Sequence, residues 1–341
     1  MSELNKETPV VEEETKETPV EPTTPVEKDP LDELIPGAEP IAKYTNEKPF
    51  NEVVEDARLA FNKDYNKSRK ISYIVMGIVL VIAIAAVILV TMENMALRIV
   101  GWGLVVIAIG GMIAYYIANK NKMPVLTQDY IKKVNETLNS YTFSDDNISE
   151  ASVDSKEKIE VSDVINDGIY KEIGNIASRN VVKGKYLNRS FVAADLGLYN
   201  KETGRKQRSY FVGKYLSLSN DLHFTDRYIL CSFGKEAVDL PTDLEGLDAI
   251  ISEDNFILYG KPGSKPEKDL GKDFIKAIKN IALDETLLGL SVVVWAGRTL
   301  GYFSYSDEIM TLPFQSEFTG KANKKYKEDT INALKAFSTL E

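Results

Sequence analysis

Nucleophilic and acid–base chemistry has few carriers in this sequence, which contains one histidine, His223, and one cysteine, Cys231. A thiol nucleophile needs its base within hydrogen-bonding reach. The two residues are eight positions apart across an expected strand boundary, which is about 27 Å on a fully extended chain. We therefore interpret them as a surface histidine and a core cysteine, and we assign no catalytic residue. The lone cysteine also excludes an intramolecular disulfide and agrees with a reducing compartment.

Metal and phosphate sites find little support in the residue pattern. One histidine and one cysteine cannot supply a four-ligand zinc site, and no Asp-x-Asp-x-Asp-Gly calcium loop is present. Binding of Mg²⁺ or Ca²⁺ by carboxylates alone remains an alternative. The segment 260–265 (Gly-Lys-Pro-Gly-Ser-Lys) has the wrong spacing for a P-loop, and Pro262 removes an amide donor. We expect a strand-to-helix turn there, and no cofactor.

Basic side chains are the remaining candidates for a binding site. Four of them lie in one polar segment that is typical of a hairpin loop, and five others flank the apolar runs described next. Close to an anionic leaflet, each would gain about 1 kcal/mol, although a solvated hairpin tip is the favoured interpretation of the loop. The residues for which we predict lipid contact are Lys67, Arg69, Lys70, Lys120, Lys122, Lys201, Arg205, Lys206 and Arg208.

Two uncharged apolar runs, 71–92 and 99–118, are separated by only six residues. As helices they would be about 33 and 30 Å long, and the hydrocarbon core of a bilayer is about 30 Å thick. A core helix of a soluble protein usually carries a polar stripe, and neither run has one. The pattern therefore predicts a transmembrane helical hairpin, and the absence of ionisable residues inside it argues against a proton relay.

The flanking charges predict the orientation of this hairpin. Lys and Arg number five in the fifteen residues before the first run and four in the fifteen after the second, against Arg98 alone in the loop. The positive-inside rule then places both termini in the cytoplasm, as a two-span protein of the cell membrane. The first run lacks a small-residue cleavage pattern, so we expect an uncleaved anchor. Small residues in the second run permit close packing, within the hairpin or in a homo-oligomer: Gly103, Gly110, Gly111, Ala114 and Ala118.

Charge is distributed unevenly along the 341 residues, which carry a formal net charge of −10. Residues 1–40, rich in Pro, Glu and Thr, hold −9 of it and predict a disordered acidic tail. Residues 119–341 carry only −3, so their charge gives no reason to expect a nucleic-acid partner.

Apolar periodicity predicts a membrane-anchored α+β protein, with the hairpin followed by a mainly antiparallel α+β domain over 143–341. An amphipathic juxtamembrane helix is expected within 41–70 and a linker helix within 119–142. A polar loop over 144–160 and a short helix over 164–176 come next. Strands are predicted at 181–186, 190–199, 209–218, 227–233, 256–259, 290–295 and 299–305, and helices at 264–282, capped by Ser264 and Glu267, and at 324–340.

Three segments resemble a family of bacterial membrane proteins, the domain-of-unknown-function 3137 family. They are 183–185 (Lys-Gly-Lys) followed by 191–196, 210–214 (Tyr-Phe-Val-Gly-Lys), and 244–245 (Leu-Glu) with 256–259 and the helix after it. The resemblance covers roughly 50–341 and implies a two-span hairpin followed by a cytoplasmic α+β domain. Since no activity is established for the family, the resemblance implies no catalytic residue.

These features favour a protein that displays a cytoplasmic interaction or accessory domain at the inner leaflet. Its partners would be the lipid bilayer and another membrane or cytoplasmic protein. One alternative is a membrane-associated enzyme that acts on a lipid or peptide, with Asp or Glu as general base because histidine is scarce. Another is a subunit of an oligomeric transport complex, since two uncharged helices cannot enclose a polar pathway.

Overall fold

A computed structural model describes residues 38–154, 156–170, 173–202, 208–222, 226–233, 244–253, 255–283, 287–305, 314 and 316–340. Most of the predicted acidic tail (1–37) lies outside these described residues, as do Arg205, Lys206 and His223.

Three helices form the N-terminal part of the described chain: α1 (Phe50–Thr91), α2 (Met95–Asn119) and α3 (Lys122–Thr142). The predicted juxtamembrane helix and first apolar run are one continuous helix of 42 residues, α1, because no proline interrupts the chain after Pro49. A tight turn joins α1 to α2, and the side chain of Asn94 caps α2 by accepting a hydrogen bond from the Ala96 amide at 2.9 Å. The linker helix is confirmed as α3.

The rest of the described chain is built on one antiparallel sheet of ten strands, in the order β1-β2-β3-β4-β5-β10-β9-β6-β8-β7. This confirms the expected sheet of hairpins. The strands are β1 (Glu39–Pro40), β2 (Ile148–Asp154), β3 (Asn175–Tyr186), β4 (Arg189–Tyr199), β5 (Ser209–Ser219), β6 (Tyr228–Phe233), β7 (Asp248–Glu253), β8 (Phe256–Gly260), β9 (Leu287–Trp295) and β10 (Arg298–Tyr305).

Four further helices complete the described elements: α4 (Val161–Asn166), α5 (Pro266–Asp269), α6 (Lys272–Ala282) and α7 (Lys321–Phe337). Side chains alternate between the two faces of the sheet along each strand, so both faces carry apolar residues. A hydrophobic cluster with helices or loop segments packs on each face. On one face Phe191 and Leu218 pack with Phe274 of α6 and Phe337 of α7. On the other, Leu196 and Tyr302 pack with residues of α4 and of the segment after it.

Several element predictions were wrong in detail. The predicted loop 144–160 contains β2, whose polar residues lie near the sheet edge and gave no apolar alternation. The predicted helix 164–176 stops after Asn166, because the chain turns at Gly168 (φ 72°) and residues from Asn175 onward belong to β3. The strand β7 was not predicted at all.

Two predicted boundaries also need correction. The helix expected over 264–282 is divided into α5 and α6 at Gly271, whose φ of 78° is left-handed. Ser264 does not cap it, since its hydroxyl donates to the Lys261 carbonyl at 2.7 Å. Glu39 and Pro40, which belong to the predicted acidic tail, form β1 beside β2.

Candidate membrane interface

The surface of the α1–α2 hairpin is apolar on nearly all sides. Only 6% and 11% of the most apolar eighteen-residue windows of these helices are buried, and both helices are long enough to cross a membrane. Large side chains such as Met76, Val81 and Ile107 are more than 60% exposed. We call the outward surface of residues 71–91 and 99–117 the apolar belt. Soluble monomers rarely expose contiguous apolar patches above a few hundred Å².

The contact between the two helices depends on small residues. Ala86 and Gly101 are buried in it, and a Cβ added at Gly101 would lie 2.8 Å from both the Val90 amide nitrogen and Val90 Cγ2. The small residues that we singled out in the sequence lie elsewhere. Gly103, Gly110, Gly111, Ala114 and Ala118 are exposed, so they do not form the hairpin contact.

The apolar belt has two recognisable ends. At one end the Ser72 and Tyr115 hydroxyls are hydrogen-bonded at 2.7 Å, joining α1 to α2. At the other, the chain turns between Thr91 and Met95. Nineteen helical steps separate Ser72 from Thr91, which is about 29 Å and equals the hydrocarbon thickness of a bilayer.

Five of the predicted site residues come together at the Ser72–Tyr115 end. Lys67, Arg69 and Lys70 belong to α1, whereas Lys120 and Lys122 lie where α2 ends and α3 begins; all five are exposed. We call them the basic collar. Along the chain they lie between two contacts. One is the Ser72–Tyr115 hydrogen bond, which joins α1 to α2, and the other is the stacking of Phe61 of α1 on Tyr130 of α3, whose ring centroids are 4.8 Å apart.

Arg69 is the one collar residue held in a defined position. Its Nε donates to the Tyr73 hydroxyl at 2.8 Å, and its guanidinium carbon lies 5.3 Å from the centre of the same ring. Within the described residues, no carboxylate forms an ion pair with any of the five collar side chains. The collar therefore brings together five positive charges that have no ion-pair partner in the described part of the chain.

The other predicted contact residues belong to a separate element. Lys201 and Arg208 lie at the tip of the β4–β5 hairpin, where the Asn200 amide donates to the Arg208 carbonyl at 3.1 Å. Arg205 and Lys206, predicted with them, lie outside the described residues. The structure thus divides the seven predicted residues that it describes into a collar of five and a hairpin tip that contains Lys201 and Arg208.

On the opposite side of the collar from the belt, the first part of α1 (residues 50–70) pairs with α3 to form what we call the stalk. Val54, Phe61 and Val134 are buried in it. The segment before α7 is attached to the stalk, since the Asn62 amide donates to the Phe314 carbonyl at 2.7 Å and the Phe318 amide donates to Glu55 at 2.9 Å. The sheet is therefore connected to the side of the hairpin that carries the collar.

A largely buried polar cluster, here called the polar junction, lies where α3, α7 and the sheet meet. It comprises Asn139, Asn180, Asp195, Lys214 and Tyr326. Lys214 pairs with Asp195 across the β4–β5 register, and its ammonium lies 4.5 Å from the centre of the Tyr326 ring. The amides of Asn139 and Asn180 exchange two hydrogen bonds, at 2.7 and 2.9 Å.

The polar junction encloses a cavity of about 30 Å³, which is the volume of one water molecule and too small for a substrate. Asn180 reaches α3 from a bulge of β3, where its φ of 52° is left-handed. Sequence reasoning missed this cluster. The only available signal was a charged residue within each of two apolar strands, Asp195 and Lys214, and their pairing depends on a register that the sequence does not reveal.

Groups suited to nucleophilic or metal chemistry do not converge in the described residues. Cys231 is buried, and burial raises the pKa of its thiol to about 11. Asp167 is also buried, where burial raises the pKa of its carboxyl although Arg298 and Tyr302 act in the opposite direction. Both of these partners bond it, which fastens the segment after α4 to the sheet. The described part of the chain holds no group of three or more His, Cys, Asp and Glu that could bind a metal.

No protein-family model matches the chain, and a search of curated proteins finds no match. Among solved structures, it is similar to the crystal structure of the mycobacterial trehalose monomycolate transport factor A, TtfA. The two share 12% sequence identity, and the match covers 55% of this chain and 86% of that one, with a TM-score of 0.33. A likeness of this degree supports no conclusion about function.

Proposed function

We propose that this chain is an integral membrane protein whose α1–α2 hairpin anchors the sheet domain at the cytoplasmic face of the membrane, as an interaction or accessory domain for other proteins. The apolar belt is the observation that carries the proposal. An uninterrupted apolar surface about 29 Å tall would be strongly unfavourable in water, whereas hydrocarbon accommodates it without cost to the backbone, because both helices satisfy their own hydrogen bonds.

The orientation follows from the collar. Positive charge is concentrated at one end of the belt, while Arg98 is the only basic residue near the other, and Lys and Arg are retained on the cytoplasmic side. The stalk and the sheet share the collar's side, so this orientation places the sheet in the cytoplasm. Membership of the resembled family, with its two-span hairpin and cytoplasmic domain, is part of the same proposal.

An interaction role is favoured over catalysis by what the described residues offer. The cavity at the polar junction has only the volume of one water molecule, the one cysteine is a buried neutral thiol, and the buried Asp167 is bonded on both oxygens. Anchoring itself has a physical benefit, because confinement at the membrane raises the effective concentration of the domain for other membrane proteins.

Alkaline carbonate extraction and thiol labelling in intact protoplasts test the anchor and its orientation together. Cys231 is buried and gives a low background, so Glu93→Cys and Lys133→Cys each supply one accessible thiol. We expect the chain to resist carbonate, Glu93→Cys to react with an impermeant maleimide in intact protoplasts, and Lys133→Cys to react only after lysis. Release by carbonate, or labelling of Lys133→Cys before lysis, would refute the proposal.

The interaction role needs a second measurement. Affinity capture from gently solubilised membranes should recover the same partner with the full chain and with a variant that lacks residues 1–40, and should lose it when 143–341 are deleted. Recovery of no partner by the full chain, or retention of the partner after that deletion, would argue against display by the sheet domain.

A further inference from the structure

The basic collar is a concentrated charge at a defined depth. Five cationic side chains, three on α1 and two where α2 ends and α3 begins, lie directly beyond the end of the apolar belt. In a bilayer whose hydrocarbon ends at the Ser72–Tyr115 hydrogen bond, this level coincides with the phosphate groups of the lipids. Among the described residues, none of these five side chains forms an ion pair with a carboxylate.

Two features make the collar more than a diffuse patch. Arg69 is pre-positioned by its hydrogen bond to Tyr73, which leaves the terminal nitrogens of the guanidinium available for a bidentate contact with a phosphate. Across the helix pair, Lys120 and Lys122 are held between the end of α2 and the start of α3, where the Lys120 amide donates to the Tyr116 carbonyl at 2.8 Å and the Val125 amide donates to the Asn121 carbonyl at 3.0 Å.

We propose that the basic collar binds the headgroups of anionic phospholipids of the inner leaflet, with Arg69 as the phosphate clamp. The proposal rests on the anchoring function above and adds the class of lipid. Charge complementarity identifies the occupant, since the site lies at the belt boundary, where a lipid phosphate is always present and a soluble anion is not concentrated. The tip of the β4–β5 hairpin, although equally basic in sequence, is not part of this site.

Two variants with the same loss of charge separate the collar from the tip. The collar variant changes Lys67, Lys70, Lys120 and Lys122 to Gln, and the tip variant changes Lys201, Arg205, Lys206 and Arg208 to Gln. The full chain in mild detergent is titrated with phosphatidylglycerol or with phosphatidylcholine of the same acyl chains, and bound lipid is counted by native mass spectrometry.

We expect wild type and the tip variant to prefer phosphatidylglycerol equally. Each charge removed from the collar should weaken the affinity for that lipid about fivefold, which corresponds to about 1 kcal/mol, and binding of phosphatidylcholine should not change. Equal binding of both lipids by wild type, an equal loss in the tip variant, or displacement of phosphatidylglycerol by millimolar inorganic phosphate would each overturn the proposal.

The clamp has its own test. Arg69→Lys keeps the charge but removes the planar guanidinium, so we expect it to weaken phosphatidylglycerol binding severalfold. Tyr73→Phe should cause a smaller loss. Affinity equal to wild type in Arg69→Lys would refute the clamp.

Carbonate extraction of every variant distinguishes the lipid proposal from the anchoring proposal. A chain that is released by carbonate contradicts the anchor, whereas an embedded chain without lipid preference contradicts only the collar inference.

Discussion

The two halves of α1 are the same helix folded for two different surroundings. In residues 50–70 the buried positions repeat at helical spacing and include Phe50, Val54, Ala57 and Phe61, while the other faces are polar. In residues 71–91 the composition is apolar on every face, and the only buried residue is Ala86. The comparison teaches that α1 changes from an amphipathic to a wholly apolar composition within a few residues around Ser68–Ser72, without any break in the helix.

The contacts made by the two halves differ in the same way. In the stalk, large rings form the contact, such as Phe61 stacked on Tyr130, because burial of area in water is rewarded. In the hairpin, the contact depends on Ala86 and Gly101, because lipid is as apolar as a leucine side chain and only close packing gives an advantage. Buried charge follows the same division, since it occurs at the polar junction beside the stalk and not in the hairpin.

The largest effect is expected where charge is buried beside the stalk. Lys214→Ala leaves Asp195 buried without its partner and should lower the free energy of unfolding by about 3–5 kcal/mol. Chemical denaturation of the full chain in mild detergent measures this loss. Lys214→Met combined with Asp195→Leu is the control, because it removes both charges and keeps the volume, and we expect its stability to be within about 1 kcal/mol of wild type or higher. A double variant as unstable as Lys214→Ala would contradict the explanation by an unpaired charge.

A matched pair of arginine substitutions tests whether the two halves of α1 face different surroundings, water for residues 50–70 and hydrocarbon for residues 71–91. Leu59 and Leu80 are similarly exposed, at 53% and 61%, but they lie on opposite sides of the basic collar. Leu80→Arg should cost about 2.5–3.5 kcal/mol in membrane insertion and reduce the carbonate-resistant fraction, whereas Leu59→Arg should change stability by less than about 0.5 kcal/mol. Similar results for the two variants would mean that both halves face the same solvent.

Much of this architecture could be predicted from sequence because strong local signals determine it. The absence of charge over 71–92 predicts the apolar half of α1, and alternating apolar residues predict β4, β5, β9 and β10. The strands β2 and β7 were missed for a physical reason. Both lie at or next to a sheet edge, so they bury little and carry no clear alternation, as the polar segment Ser-Glu-Ala-Ser of β2 illustrates.

The candidate site was predictable in part. Flanking charge marked Lys67 and Lys120 as neighbours of the membrane, but only the packing of α1 on α2 places them at one level. The hydrogen bond from Arg69 to Tyr73 was not predicted, although their spacing of four residues on a helix permits it. The polar junction could not be predicted, because it joins Asn139, Asn180 and Lys214 through tertiary packing.

Unlike the exposed apolar belt, the interior of the sheet contains a buried titratable group, Cys231, that should make the free energy of unfolding depend on pH. Burial raises the pKa of the Cys231 thiol from 9.0 to about 11, so the folded state holds its proton more tightly than the unfolded state. This contribution to stability is therefore complete below pH 9 and is lost as the pH rises toward 11, by roughly 3 kcal/mol at most. We expect unfolding curves of wild type and Cys231→Ala to converge over this interval. A constant difference between them would show that the thiol is not desolvated.

The smallest expected effect separates the inner and outer faces of the hairpin. Gly101→Ala places a methyl group 2.8 Å from the Val90 amide nitrogen and 3.0 Å from the Ala86 carbonyl oxygen, and because these are backbone atoms the helices must separate. We expect a loss of about 1–3 kcal/mol, measured as a lower melting temperature in detergent. Gly103→Ala is the matched control, since no atom lies within 4 Å of its added Cβ, and it should be neutral or stabilise α2 by about 0.5–1 kcal/mol. A destabilised Gly103→Ala would indicate that the outer face is packed against another helix, which would favour the homo-oligomer over a single hairpin in lipid.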